Sequence, residues 1–423
     1  MKKFFLFGPL LFGLLFTGLL TRTNEPFAFM MPLLIYLGAG ILNRPDKISL
    51  KVARSLSADR VPLGATVDVS LKLTNEGPRL EELFLEDIVP TPIELVGGTS
   101  DLLTTLERGE TLHLKYSLRA GRGYYRFQGV NVRTDDHLGL FSKSKLLRAE
   151  GRLIVLPHSV KLKSIRIKPR RTRVYSGLIP ARSGGQGIDF FGVREHQKGD
   201  LPRLINWKAT ARHPHALFTN EFEQERVVDV GLILDARQRS YGRFNENQLF
   251  EHAVSATAAL AESFLNDGNR VGMYNYGRVV DWTFPGYGKT QKERILRALI
   301  GAKLGEHMVF EKLEYLPVRL FPASSQLIFI SPLLRDDKQT LLQLRARGYQ
   351  VLVISPDRIS FEQERLKPDP YIEIGKRVAY LDRVLMLNEL RQADIQVLNW
   401  PVNIPFHNLV SSSLTRHPAL YAG

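Results

Sequence analysis

Two uncharged apolar runs, Phe4 to Leu20 and Phe27 to Leu42, separated only by TRTNEP, restrict the fold more than any other feature of this chain. A helix needs about 17 to 25 apolar residues to cross a bilayer, so each run sits near the short end of a span. Lys2 and Lys3 also suit a signal peptide, but no A-x-A-like cleavage site follows, and the second run comes at once. The expectation is a retained transmembrane hairpin over 1–45, in contact with lipid through 4–20 and 27–42. Pro9 and Pro32 are tolerable in such helices. Lys2 and Lys3 precede the hairpin and Arg44, Lys47, Lys51 and Arg54 follow it, whereas the connecting turn offers Arg22 against Glu25. Positive charge stays on the cytoplasmic side, so both ends are expected there, with the later domains hanging into the cytoplasm from the inner membrane.

At 423 residues the chain exceeds what one core normally serves, so it should be multidomain. From Ile48 to His158 apolar residues alternate, as in Val67, Val69, Leu71 and Leu73, then Leu112, Leu114, Tyr116 and Leu118. This is the period of half-buried strands. Turn signals recur at Asn75-Glu76-Gly77-Pro78, Gly97-Gly98, Arg108-Gly109-Glu110 and Gly121-Arg122-Gly123. Together they predict a β-sandwich of immunoglobulin-like kind over 46–160.

The region 161–226 reads as a basic linker followed by a charge-dense stretch. Lys161, Lys163, Arg166, Lys168, Arg170, Arg171 and Arg173 have no acid among them, and suit either a solvated linker or contact with anionic lipid or an acidic partner. YSGLIPARSGGQG then reads as a mobile loop. The chain carries 58 basic against 43 acidic residues, a formal charge of +15, which favours anionic surroundings. With no cysteine, disulfides and thiol chemistry are excluded. No phosphate-cradling GxxxxGK[ST] run and no nucleic-acid motif occurs, so ATP hydrolysis would belong to a partner and no nucleic-acid partner is expected.

From 227 to 423 apolar strands alternate with amphipathic helices. VVDVGLILD, VGMYNYG, QLIFIS, YQVLVIS and IQVLNW read as strands, with VVDWTF paired to the second. Helices are expected over Gln248 to Asn266, Gln291 to Leu304, Lys338 to Arg347 and Asp382 to Ala393. The pattern predicts a doubly wound, mostly parallel α/β sheet, whose ligands bind at the carboxyl ends of the strands, here near Asp235 and Ser331.

The stretch Gly187 to Glu223 resembles the signature of the domain of unknown function 58 family. Gly187, Phe190, Arg194, Glu195, Gly199, Asp200, Arg203, Ile205, Trp207, Ala211 and Arg212 fall on its pattern of an aromatic, R-E, G-D, R, I-x-W and A-R. Upstream, Arg122-Gly123 and Asp136 to Phe141 resemble its R-G and D-P-F-G-L-F elements, with His137 where proline is usual. The resemblance implies a membrane hairpin, a β-domain and a von Willebrand factor A-like α/β domain. It also implies a non-enzymatic adaptor working with a MoxR-type AAA+ ATPase in protein assembly or maturation, without a cofactor of its own.

The A-like fold usually carries a metal-ion-dependent adhesion site built on Asp-x-Ser-x-Ser. Here the loop reads Asp235-Ala236-Arg237-Gln238-Arg239, and the strand expected to end in aspartate reads Ile330-Ser331-Pro332, with no Gly-Gly-Thr-like turn in HMVFEKL. A guanidinium has no lone pair for a metal, so no metal site is expected, and the arginines either replace the cation's charge or face a partner's acid. Arg194, Asp200, Arg203 and Arg212 suit a buried charge network locking loops onto the sheet, or else a docking surface. Two rival readings remain: an envelope-associated hydrolase using Asp200 with His196, His213 or His215, and a basic binder of membrane surfaces or nucleic acid.

Overall fold

The computed structural model describes residues 2–42, 47–135, 140–162, 173–213, 215–242, 246–277, 280–305, 313–317, 321–322, 325–363 and 370–413. The chain divides into two compact units, 1–156 and 157–423.

The first unit starts with helices α1 (Lys2–Thr21) and α2 (Glu25–Leu42), joined by a turn in which Arg22 takes a φ of 54°. By length and composition α2 is apolar enough to cross a membrane, and Phe7–Thr21 within α1 is a shorter apolar helix. A β-rich body follows, formed by β1 (Leu50–Leu56), β2 (Arg60–Pro62), β3 (Thr66–Asn75), β4 (Leu80–Asp87), β5 (Ile93–Gly97), β6 (Asp101–Leu106), β7 (Thr111–Ala120), β8 (Gly123–Asp135) and β9 (Ser142–Leu156). They make two sheets, ordered β1-β3-β7-β5 and β2-β9-β8-β4-β6. The alternating residues of β3 and β7 meet those of β4 and β8 in one core, including Val69, Leu71, Leu83, Leu85, Leu118 and Val132. The expected turns close as predicted. Gly98 and Gly109 take φ of 75° and 81°, and the buried Asn75 amide donates to the carbonyls of Pro78, Leu106 and Glu107.

An ion pair also links the two layers. Arg54 of β1 pairs with Asp87 of β4, both side chains fully buried, while Tyr116 of β7 donates its hydroxyl to Asp87 Oδ2 at 2.5 Å. The Arg54 guanidinium lies over the Phe127 ring, 4.7 Å from its centroid. Burial nevertheless holds the Asp87 carboxyl above its usual value. Arg54 is therefore a structural cation and not, as its sequence position suggested, one of the surface charges flanking the apolar helices. Lys47 and Lys51 stay exposed, and Arg44 lies outside the described residues.

The second unit begins with a two-stranded ladder of β10 (Arg173–Glu195) and β11 (Phe218–Val227), bridged by a segment containing the short helix α3 (Trp207–Thr210). The glycine-rich run expected to be a loop is thus strand. Its register with β11 shifts repeatedly, between Val174 and Ile179, Ala181 and Gly184, and Gly185 and Phe190, so the irregularity is absorbed within the pairing. The basic residues 163–172 lie outside the described residues, as do 136–139 of the upstream family element.

Beyond it lie β12 (Asp229–Ala236), α4 (Gln238–Tyr241), α5 (Glu246–Asn266), β13 (Arg270–Gly277), β14 (Asp281–Gly286), α6 (Gly288–Gly301), β15 (Gln326–Ile330), α7 (Asp337–Ala346), β16 (Gln350–Pro356), α8 (Arg358–Gln363), α9 (Pro370–Gln392), β17 (Gln396–Trp400) and α10 (Phe406–Ser413). The six strands run in the order β14-β13-β12-β15-β16-β17, all parallel to their neighbours except the edge strand β14. Alternate residues of the fully buried β12 serve opposite faces. Val230, Leu232 and Leu234 pack in a core with α5, α6 and α10, and Ile233 in a second core with α7 and α9. Helices on both faces bury the strands twice over, which explains their unbroken apolar sequences.

Helix α9 departs from expectation. It begins at Pro370, twelve residues before the expected Asp382, because its first half carries apolar residues outward and lacks the inward periodicity that marks a core helix.

The connection after β12 runs to β13 on one side, and β15 lies on the other, so the strand order reverses between β12 and β15. Ligands of doubly wound sheets bind at such a switch point. Close packing of β12 against β13 has a direct test. A Cβ on Gly277, paired with Ala236 across β12 and β13, would lie 2.6 Å from the Ala236 carbonyl oxygen. Gly277→Ala should cost roughly 1–3 kcal/mol through backbone displacement. Amide exchange of β12 and β13 should quicken, and unchanged exchange would refute this packing.

Candidate functional site

The carboxyl edge of the sheet is built from the end of β12 and the loop after β15. Asp235 is the last residue but one of an entirely buried strand, and Arg237, two residues on, folds back instead of pointing to solvent; it is only 2% exposed. Arg237 Nε and Nη2 donate to Asp235 Oδ1 and Oδ2 at 2.9 and 2.8 Å. On its other side Nη1 and Nη2 donate to Oδ1 and Oδ2 of Asp337 at 3.0 and 2.8 Å. One planar guanidinium thus holds two carboxylates in paired hydrogen bonds, the geometry that suits arginine and that lysine cannot reproduce. Ser331 Oγ donates to Asp235 Oδ2 at 2.6 Å, and the Tyr241 hydroxyl donates to the Asp235 carbonyl at 2.7 Å. The backbone N–H of Leu334 donates to Asp337 Oδ2 at 2.8 Å.

Charge in this network is unevenly shared. Burial lifts the Asp235 carboxyl, but the adjacent Arg237 charge, its hydrogen bonds and the Ser331 hydroxyl outweigh that and hold it below its usual value. Burial keeps Asp337 above its usual value despite Arg237. For Arg237 burial works against the charge, and the two carboxylates more than offset it.

At Arg237 the guanidinium therefore lies directly beside Asp235. The Asp235 oxygens that would face a hard cation already accept from Arg237 and Ser331, and a cation there would meet the guanidinium. The residues present do not fit a metal at this edge. Arg239 belongs to the short helix α4; the HMVFEKL segment lies outside the described residues up to Lys312.

Sequence reasoning missed Asp337 and Arg383. Asp337 opens α7, where an acidic residue reads as an ordinary helix start. Arg383, buried on the inner face of α9, reaches across three strand ends. Its Nη1 donates to the Pro332 carbonyl at 2.8 Å, and its Nη2 donates to Ser355 Oγ and Asn399 Oδ1, each at 2.9 Å. An arginine on the inner face of a helix was the available signal.

The signature stretch forms a second constellation. Arg194, near the end of β10, donates from Nη1 and Nη2 to Asp200 Oδ2 and Oδ1, both at 2.7 Å, and Nη1 also reaches the Glu195 carbonyl at 2.9 Å. Between them the chain turns through Gln197 to Asp200, whose N–H donates to the Gln197 carbonyl at 3.0 Å. Gly199 takes a φ of 112° in this turn, which explains glycine in the signature. Asn206 then caps α3, accepting from the Ala209 N–H at 2.9 Å and donating to Asn220 Oδ1 at 2.7 Å.

The expected four-member buried network does not form. Arg194 and Asp200 pair at the surface, and Arg203 and Arg212 stand exposed apart from them. The reason is local: the described part of 196–217 is a turn and short helices beside a two-stranded ladder. Phe190 and Trp207 are also exposed, at 61% and 68%. Gly187 lies within β10.

The hydrolase reading is not favoured by this geometry. Hydrogen bonds from Arg194, then from the Gln197 N–H, lower the Asp200 carboxyl to about 2, far from the range of a general base near neutrality. His196 Nδ1 lies 2.8 Å from Thr219 Oγ1 but 3.8 Å from Asp200 Oδ2. His213 and His215 are exposed, and His213 packs against the Phe218 ring at 5.2 Å.

The buried edge makes a sharp prediction. Arg237→Met leaves two buried carboxylates without their cation and should lower stability by about 3–5 kcal/mol at pH 7. The carboxyls in the variant take pKa values raised by burial, so the folded state binds extra protons and the deficit should shrink as pH falls toward 5. Unfolding of the second unit, followed in both proteins across this pH range, checks it; a pH-independent deficit would be inconsistent.

Residues 192–362 match the model of the family described as "Protein of unknown function DUF58". The Bacillus subtilis (strain 168) relative "Uncharacterized protein YeaD" is 28% identical over 258 residues, 60% of this chain and 62% of the relative, so the chain spans less than two thirds of that protein. Among solved structures, the CARDB domain of a Pyrococcus furiosus protein shares 14% identity over 27% of this chain and 92% of its own, with a TM-score of 0.18. A FixG-related protein from Vibrio parahaemolyticus shares 17% identity over 26% of this chain and 98% of its own, also at 0.18. Likenesses this slight carry no argument about the fold. The region that matches the DUF58 family model runs from the Arg194–Asp200 clamp through Asp235, Arg237, Ser331 and Asp337 into α8.

Proposed function

We propose that this protein is a membrane-anchored adaptor that docks a MoxR-type AAA+ ATPase through its signature surface and takes part in protein assembly or maturation without catalysing a reaction itself. The observation that carries this reading is the exposure of Trp207, with Arg203 and Arg212 nearby in sequence, on a segment fastened by the Arg194–Asp200 clamp. Tryptophan and arginine are the residues that dominate interfaces, and a fastened segment loses little entropy on binding. The filled carboxyl edge adds support from the other direction, since the place where such sheets normally take a ligand is occupied by Arg237.

On this reading the α/β unit is a von Willebrand factor A-like module whose adhesion site has given way to an internal ion pair, and the β-rich body is an immunoglobulin-like spacer. Both α1 and α2 span the inner membrane as a hairpin, and the lysines before and after it keep the folded units on the cytoplasmic side. Lys161 to Arg173 adds contact with anionic lipid.

Gentle solubilisation of native membranes and capture of the full-length protein should recover a MoxR-type ATPase. Trp207→Ala combined with Arg203→Ala should reduce recovery at least about tenfold, as expected for loss of interface anchors worth about 2 kcal/mol. Recovery unaffected by the double substitution would count against this surface, and no ATPase with either protein would count against the adaptor role.

A further inference from the structure

Helix α9 is apolar on two opposite sides. Its inner side buries Arg383, Leu387 and Leu390 against the sheet. On its outer side Tyr371, Ile374, Val378, Leu381 and Leu385 are between 56% and 85% exposed. Their spacing of three, four, three and four residues is that of the a and d positions of a heptad; Ile372 and Tyr380, off this seam, are exposed to a lesser degree, at 41% and 49%. The seam runs about 21 Å along the helix. Asn388 continues it at the next d position.

Charges beside the seam identify what covers it. With Tyr371, Val378 and Leu385 at a, Arg377 falls at g and Asp382 at the following e position. In two parallel, in-register helices each g residue faces the e residue five positions later on the other helix, so two copies bring Arg377 of each onto Asp382 of the other. An antiparallel pair sets g against g and e against e, placing arginines 377 and 391 together and the acids Asp382 and Glu389 together, which is repulsive. At present Arg377 lies 3.5 Å from Glu373 and Asp382 lies 2.6 Å from Arg335, both exposed pairs of little energy that exchange readily.

We propose that α9 is a self-association surface, on which a second copy of this chain docks in parallel through a two-heptad coiled coil. The helix is already formed on a folded unit, so the nucleation cost that defeats short isolated coiled coils does not arise. Tethering to one membrane would further raise the effective concentration. The inference does not depend on the ATPase-docking surface, which lies elsewhere in the sequence.

The full chain has no cysteine, so single cysteines report cleanly. Ile374→Cys and Leu385→Cys, each oxidised in isolated membranes, should both give a species of twice the 48.0 kDa chain mass, whereas Glu373→Cys, off the seam, should not. A disulfide needs Cα atoms within about 7 Å, and two positions eleven residues apart can both face themselves only in a parallel, in-register pair. In the Leu385→Cys background, Arg377→Asp alone or Asp382→Arg alone should weaken cross-linking. Co-expressing the two should restore it, because each copy then supplies the charge the other lacks. Cross-linking at only one seam position, equal cross-linking at Glu373→Cys, or failure of co-expression to rescue would overturn the proposal. Capture of a different protein by the seam, with the chain itself uncross-linked, would do so too.

Discussion

Everything at the carboxyl edge depends on one buried cation. Asp235 and Asp337 come from distant parts of the sequence and are carried to the same spot by parallel pairing of β12 with β15 and by the start of α7. Two carboxylates this deeply buried cannot both remain ionised without a compensating charge, and Arg237 supplies it in paired hydrogen bonds to each. The same guanidinium fills the switch point of the sheet. A fold that ordinarily presents an open polar crevice there presents a closed one, and interactions are left to its outer surfaces.

That arrangement shifts attention to the signature stretch. Its conformation is set by short-range chemistry: Gly199 permits the turn, Asp200 is pinned by Arg194, and Asn206 caps α3. None of these bonds uses Trp207 or Arg203, so the segment is rigid by its own means and its large side chains are left to face outward. Exposed aromatic and basic groups on a hydrogen-bonded backbone are what the proposed recognition role requires.

Much of this was legible in the sequence. Alternation in Val67 to Leu73 marked a sheet half-buried on one face, and the unbroken apolar VVDVGLILD marked a strand buried on both. Arg237 two residues after Asp235 suggested a local cation for that carboxylate, and its guanidinium does bond Asp235, but Asp337 could not be paired with it, since nothing local connects residues 100 apart. Arg54 was misread and Arg383 missed for a shared reason. Arg54 and Arg383 look like surface residues in any window of sequence, and only the tertiary fold supplies the carboxylates, carbonyls and ring that make their burial tolerable. The outer seam of α9 escaped notice because a search for core periodicity looks for one apolar face, and this helix has two.

The claim on which this account rests is that Arg237 fills the carboxyl edge between Asp235 and Asp337 and leaves no place for a cation there. Titration of the full-length protein with Mn²⁺, followed by the electron paramagnetic resonance signal of the free ion, tests it most directly. The account predicts that the intact chain takes up no more Mn²⁺ than its Asp235→Asn variant. Uptake of one equivalent by the intact chain that Asp235→Asn abolishes would contradict it.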